Sequence, residues 1–166
     1  MGLSRPTRLS PEHDLDQFRS GESAIDNWLR NHARRNESSG ASRTFVVAAD
    51  GNRAIAFYTL SSSVLPRQDT RTKYTHNMPN EIPVVLLGQL GVDQAYQGRG
   101  LARGMIKDAA IRTLTVIEEI GVAALVVDAL DDRLIPFYSK LGFDSFLKER
   151  PQFMGIRTKD LKSLYG

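Results

Sequence analysis

Apolar positions in the first third of the chain fall at helical spacing. Ile25, Trp28, Leu29 and Ala33 recur at three- and four-residue intervals, which places them on one face, so an amphipathic helix is expected from Ala24 to about Glu37, with Gly40 as its stop. The period then changes. Thr44 to Ala49 and Ala54 to Leu60 predict two strands, joined through Asp50-Gly51 as a hairpin. From about Val64 to Pro83 the chain is rich in Arg, Thr, Asn and Pro and has no periodicity, which predicts a long loop of the functional or mobile kind. The apolar run from Val84 to Val92 suits a central strand, with Gly91 as a bulge near its end. Ile106, Ala110, Leu114 and Ile117 then line one face of a helix between Gly100 and Ile120, capped by Gly121. Val122 to Val127 reads as a second buried strand. The unit strand, glycine loop, helix, strand makes a parallel pair with a right-handed crossover. Asp131-Asp132 caps a short helix to Lys140 that Gly142 ends, and Phe143 to Leu147 and Phe153 to Arg157 supply two last strands.

Composition narrows the class. The chain has 166 residues, 41% hydrophobic and 25% charged, with no linker or repeat, so one compact α/β (α+β) domain over residues 1–166 is expected. There is no cysteine, which excludes a disulfide framework, a thiolate zinc site and a cysteine nucleophile and suits a reducing, cytoplasmic setting. The first residues lack the apolar run of a signal peptide, and no segment is apolar enough to span a bilayer, so no membrane role is expected. Three scattered histidines give no metal-ligand spacing. A net charge of +3 permits a polyanionic partner without demanding one.

The chemistry concentrates in Gln97-Gly98-Arg99-Gly100-Leu101-Ala102-Arg103, between a predicted strand and a predicted helix. Glycines allow close backbone approach, and the free N–H groups of a helix start attract phosphate oxygens. The third glycine of the dinucleotide fingerprint is missing and no Gly-Lys-Ser/Thr follows, so neither that fold nor a P-loop is indicated. Taken alone, the segment is either a pyrophosphate cradle or a plain glycine turn.

Gln97, Gly100 and Ala102 match the Gln/Arg-x-x-Gly-x-Gly/Ala loop, and Phe137-Tyr138-Ser139-Lys140-Leu141-Gly142-Phe143 matches the Phe-Tyr-x-x-x-Gly-Phe segment, of the GNAT N-acetyltransferase superfamily, which this chain therefore resembles. With Phe18-Arg19-Ser20-Gly21, Ile25-Asp26-Asn27-Trp28-Leu29, Asn36 and Ser42 to Val46, the resemblance extends from about Leu9 to Leu161 to the acetyltransferase toxins of bacterial toxin–antitoxin pairs. It departs at Gly91, where relatives often carry Ala, and at Gln89, where Arg is common. The resemblance implies a single GNAT-like domain, with a mixed central sheet, a splayed parallel strand pair and flanking helices. It implies acetyl-coenzyme A as cosubstrate, with no metal. Leu90, Gly91 and Val92 would offer backbone N–H groups to the pantetheine arm and thioester oxygen, Gln97 to Arg103 would hold the pyrophosphate, and Asp131 and Phe137 would complete the set.

Within that frame Tyr138 is the candidate general acid for the departing thiolate, against the alternative of a core tyrosine whose hydroxyl merely finds a partner. The implied substrate is the α-amino group of aminoacyl-tRNA, an amine of low basicity that needs no dedicated base; His32 and His76 are weak candidates. Arg30, Arg34, Arg35 and Arg43, with Arg67, Arg71 and Lys73 from the loop, form either a phosphate-binding rim or an ordinary solvated face. The implied partners are aminoacyl-tRNA, a cognate antitoxin of the small DNA-binding ribbon-helix-helix type, and a second copy in a homodimer. Alternative readings are an enzyme acting on a protein N-terminus or small-molecule amine, and a non-catalytic acyl-coenzyme A binder.

Overall fold

The computed structural model describes residues 3–166. The elements are β1 (Thr7–Arg8), α1 (Ser23–Ser39), β2 (Arg43–Ala49), β3 (Arg53–Pro66), β4 (Glu81–Val92), α2 (Leu101–Ile117), β5 (Ala124–Asp128), α3 (Ile135–Lys140), β6 (Asp144–Ser145), β7 (Phe153–Arg157) and α4 (Thr158–Tyr165), with short 3-10 turns between several of them. They fall into two compact units, residues 3–61 with 88–108 and residues 62–87 with 109–166.

In the first unit the strand order is β1-β2-β3-β4, with β2 antiparallel to β1 and β3. The hairpin forms as the pattern predicts, with a register shift between Val47 and Ala48 and a turn in which Gly51 takes φ 73°. α1 buries Ile25, Leu29 and Ala33, the stripe its spacing predicts, against Leu9, Leu15, Phe18, Val46, Ala54 and Phe57. The Trp28 ring stacks on Phe57 at 6.2 Å, and Phe18 meets the same ring edge-on at 5.4 Å. Gly40 ends the helix in the left-handed conformation, φ 83°, its N–H donating to the Asn36 carbonyl.

In the second unit the order is β3-β4-β5-β7-β6. Val84 to Leu87 pair in parallel with Ala124 to Val127, as the strand–helix–strand pattern requires, while β7 runs antiparallel to both β5 and β6. Its core gathers Leu65, Ile82, Val84, Ala124, Val126, Phe146 and Phe153. The parallel register ends at Leu87 with Val127, β5 itself ends at Asp128, and β4 continues to Val92.

Several local expectations change. β3 extends to Pro66, because Leu65 is buried beyond the Ser61-Ser62-Ser63 run, and β4 begins at Glu81, so the long loop covers only residues 67–80. That segment is tied down: Thr70 bridges to Leu147, the Arg71 N–H donates to the Phe146 carbonyl, and the Tyr74 ring stacks on Phe146 at 4.3 Å. α2 ends at Ile117, and Gly121 lies outside the left-handed region, so it does not cap the helix. β1 and α4 have no counterpart in the pattern. α4 buries only Leu161 and is fixed by the Thr158 hydroxyl donating to the Val122 carbonyl and Tyr165 donating to the Leu141 carbonyl.

Gly91 lies against the first unit's core: a Cβ there would lie 2.8 Å from Ile25 Cγ2, 3.1 Å from Phe57 and 3.3 Å from Phe18. Overpacking of this kind costs about 1–3 kcal/mol. Gly91→Val is therefore expected to lower unfolding free energy by that amount, read as an earlier urea midpoint with an unchanged slope.

Candidate active site

The glycine loop is built from the end of β4 onward. Asp93 closes the first turn: its carboxylate accepts from the Ala95 N–H at 2.9 Å and from the Arg19 N–H at 3.1 Å, while its own N–H donates to the Ile55 carbonyl. The Gln97 side-chain amide donates to the Ser20 carbonyl at 2.8 Å and to the Val92 carbonyl at 2.9 Å. Gln97 thus spends its side chain on anchoring the loop. Gly98 and Gly100 both take φ 79°, a conformation that glycine adopts without penalty. These two reversals deliver the chain into α2 at Leu101.

The consequence is electrostatic. The first intrahelical bond runs from the Gly104 N–H to the Gly100 carbonyl, and none of the backbone N–H groups from Gly98 to Arg103 has an acceptor among the described residues. A helix start always leaves its first donors unpaired and carries the positive end of the helix dipole. The glycines are exposed, and a Cβ at Gly98 or Gly100 would meet nothing within 4 Å, so no atom crowds the two reversals. That geometry fits a pyrophosphate, the group the loop would hold in acetyl-coenzyme A. Arg99 lies over the Tyr96 ring at 5.0 Å and Arg103 is exposed. Upstream, Leu90 and Val92 are partly exposed and Gly91 is buried. The Gln89 N–H donates to the Thr59 hydroxyl at 2.9 Å.

In the second unit, the Asp131 carboxylate accepts from the Arg133 N–H at 2.8 Å and pairs with its guanidinium, capping the 3-10 turn Asp132–Leu134 that leads into α3. The Arg133 guanidinium holds the Asp131 carboxyl below its usual range. Phe137 and Phe143 meet the Tyr138 ring edge-on at 5.0 and 5.4 Å. Gly142, φ 102°, turns the chain back after α3. Tyr138 is 5% exposed, and its hydroxyl has no hydrogen-bond partner among the described residues. Burial alone pushes its pKa up to about 12.

The basic residues divide. Arg30 donates to the Phe18 carbonyl, Arg34 to the Ser10 and His13 carbonyls, and Arg43 to the Glu37 carbonyl and carboxylate. Arg35 is exposed, bonding to the Asn31 carbonyl and to His32 Nδ1. Arg71 and Lys73 both pair with Asp144, at 3.3 and 3.2 Å, and Arg67 donates to the Thr75 carbonyl. His76 is exposed. No cluster of three or more metal-ligating side chains occurs among the described residues, and none of their helices is long and apolar enough to cross a membrane.

A family model described as an acetyltransferase (GNAT) domain matches residues 41–145. The chain belongs to the GNAT acetyltransferase family, N-acetyltransferases that take acetyl-coenzyme A as acyl donor. It is 37% identical over 165 residues to a tRNA-acetylating toxin of Mycobacterium tuberculosis, covering 99% of this chain and 98% of that one. Among solved structures it resembles AtaT complexed with acetyl-methionyl-tRNA, at TM-score 0.90 and 26% identity, covering 99% of this chain and 100% of that one. It also resembles a mutant AtaT toxin bound to the C-terminus of the antitoxin AtaR, at TM-score 0.83 and 25% identity, covering 99% and 98%.

The raised phenol gives a pH signature. Because the folded-state pKa of Tyr138 lies near 12 and an unfolded tyrosine titrates near 10, the neutral phenol's contribution is full below pH 10 and is lost as pH rises from 10 through 12. Tyr138→Phe is expected to flatten that alkaline loss of stability and to remove one late step from the 295 nm titration. Tyr74, also raised to about 12 by burial and by its bond to the Asp144 carboxylate, is expected to account for a second late step.

Proposed function

We propose that this chain is a cytoplasmic toxin that acetylates the α-amino group of an aminoacyl-tRNA, so arresting translation until a cognate antitoxin neutralises it. The observation that carries the reading is the likeness along the full length to a tRNA-acetylating toxin, in a chain that presents an open row of N–H donors from Gly98 to Arg103. Residues 1–166 act as a single domain in this reading, with a second copy forming a homodimer and a small ribbon-helix-helix protein as the antitoxin.

Acetyl-coenzyme A supplies a thioester-activated acetyl group. The backbone N–H groups of Gly98, Arg99, Gly100, Leu101, Ala102 and Arg103 bind its pyrophosphate, and Gln97 fixes the loop that presents them. Leu90, Gly91 and Val92 hold the pantetheine arm and place a donor on the thioester oxygen, where negative charge develops. Asp131 and Phe137 complete the set. The amine attacks as the neutral species, which the low basicity of an aminoacyl ester supplies at pH 7, so no side-chain base is required. The Tyr138 hydroxyl would give its proton to the departing sulfur, and the phenolate would be reprotonated, through water, by the proton that the attacking nitrogen loses as the amide forms. The phenol is protonated throughout the physiological range, as any tyrosine titrating at 10 or above is. Arg30, Arg34, Arg35 and Arg43 supply positive charge to the tRNA phosphates, Arg35 as the member that makes its hydrogen bonds only within α1.

Incubation with radiolabelled acetyl-coenzyme A and total charged tRNA is expected to place label on aminoacyl-tRNA, and label on protein or polyamine alone would overturn the substrate. Tyr138→Phe is expected to slow single-turnover transfer by about 10²–10⁴-fold, the range of general acid catalysis. Thermal stability at pH 7 should barely change, because no hydrogen bond is lost among the described residues. A parental rate would remove Tyr138 from the mechanism. Arg35→Glu is expected to lower the salt slope of tRNA binding by about one.

A further inference from the structure

The segment Phe18 to Gly21 and the start of α1 carry a polar network that no role assigned so far uses. Asp26 is 5% exposed although its side chain is a carboxylate. Both its oxygens accept from the Ser20 N–H, at 3.0 and 3.2 Å, and its Oδ1 accepts the Ser20 hydroxyl at 2.6 Å. The Ser20 oxygen accepts in turn from the Glu22 N–H. A buried carboxylate is tolerated only where its desolvation is offset by such donors. Ser20, itself 9% exposed, is thereby held by both its side chain and its backbone.

The Ser20 carbonyl points the other way, to the Gln97 amide at 2.8 Å. Two neighbouring contacts run in parallel: the Gln94 N–H donates to the Arg19 carbonyl at 2.8 Å, and the Arg19 N–H donates to Asp93. Gly21 completes the fit. It takes φ 98°, and a Cβ there would lie 2.8 Å from the Gln94 side-chain nitrogen. Phe18 anchors the segment in the core at 0% exposure, with its carbonyl held by Arg30 from α1.

We infer that Asp26 and Ser20 are positioning residues for the acetyl-coenzyme A loop: the Asp26 carboxylate fixes Ser20, and the Ser20 carbonyl fixes the Gln97 amide from which Gly98 to Arg103 are hung. This rests on the reading that those N–H groups bind the cosubstrate. It accounts for Phe18-Arg19-Ser20-Gly21 and Ile25-Asp26-Asn27-Trp28-Leu29 together, since the two segments are the halves of one bracket. Neither Asp26 nor Ser20 touches reacting atoms in this scheme. Their loss acts on cosubstrate binding and leaves proton transfer alone.

The test is calorimetric titration of acetyl-coenzyme A into the full-length parent, Asp26→Asn, Ser20→Ala, Gln97→Ala and the double variant Asp26→Asn/Gln97→Ala, with the folded fraction of each fixed by circular dichroism. Asp26→Asn sets an amide N–H or a single carbonyl where two carboxylate oxygens accepted, and is expected to weaken binding about tenfold and raise KM for acetyl-coenzyme A equally. At saturating cosubstrate kcat should stay within about twofold of the parent. Ser20→Ala keeps the backbone N–H bond and should show a smaller loss in the same direction. In the Gln97→Ala background the effect of Asp26→Asn should largely vanish, because the relay it acts through is already cut. Parental affinity per folded molecule in Asp26→Asn with a lowered Tm, or fully additive losses in the double variant, would overturn the bracket. A parent that binds no acetyl-coenzyme A would overturn both the bracket and the reading beneath it.

Discussion

An α-helix cannot pair its own first-turn N–H groups, and this molecule leaves that deficit open where most proteins close it. At the start of α2 no side chain among the described residues caps the donors from Gly98 to Arg103, and two glycines at φ 79° carry the chain in without a side chain in the way. An uncapped helix start costs on the order of 1 kcal/mol relative to a capped one. That cost is set against a row of fixed dipoles that need no reorganisation when an anion arrives. The rest of the first unit holds the row still: Asp93 closes the turn before it, Gln97 ties it to Val92 and Ser20, and the aromatic stack of Trp28, Phe57 and Phe18 holds the backbone behind it.

The second unit holds a phenol without a protein partner among the described residues. Tyr138 is packed by Phe137 and Phe143, yet its hydroxyl has no partner among the described residues. Aromatic neighbours supply the low dielectric that disfavours the phenolate. The contrast with Tyr74 is instructive. Tyr74 is raised as far, but its hydroxyl is already committed to the Asp144 carboxylate and its ring to Phe146. The two phenols are raised alike and differ in their partner: Tyr74 donates to a carboxylate, while Tyr138 donates to no described residue.

Much of the fold was legible because it follows from local rules. The stripe Ile25, Leu29 and Ala33 faces the core, Gly40 stops α1, and the strand–helix–strand pattern yields the parallel pair Val84 to Leu87 with Ala124 to Val127. What the pattern missed is held by distant partners. β3 runs past Ser61-Ser62-Ser63 because Leu65 is buried with Ile82 and Phe146, and α4 exists because Thr158 and Tyr165 reach the Val122 and Leu141 carbonyls. The segment 67–80 looks irregular in sequence because its order comes from Phe146, Leu147 and Asp144, about seventy residues away.

For the candidate site, residue types and their spacing determined by themselves that a glycine loop enters a helix and that a tyrosine follows the second parallel strand. These are local facts, since a left-handed φ and a helix start depend on a handful of adjacent residues. Only the tertiary structure decided what each side chain does there. Gln97 faces the carbonyls of Ser20 and Val92, Arg30, Arg34 and Arg43 hold backbone oxygens, Asp26 holds Ser20, and Tyr138 keeps its hydroxyl unpaired. Hydrogen-bond partners are set by which segments the packed cores bring within 3 Å of one another, and that is a property of the folded chain that no local spacing encodes.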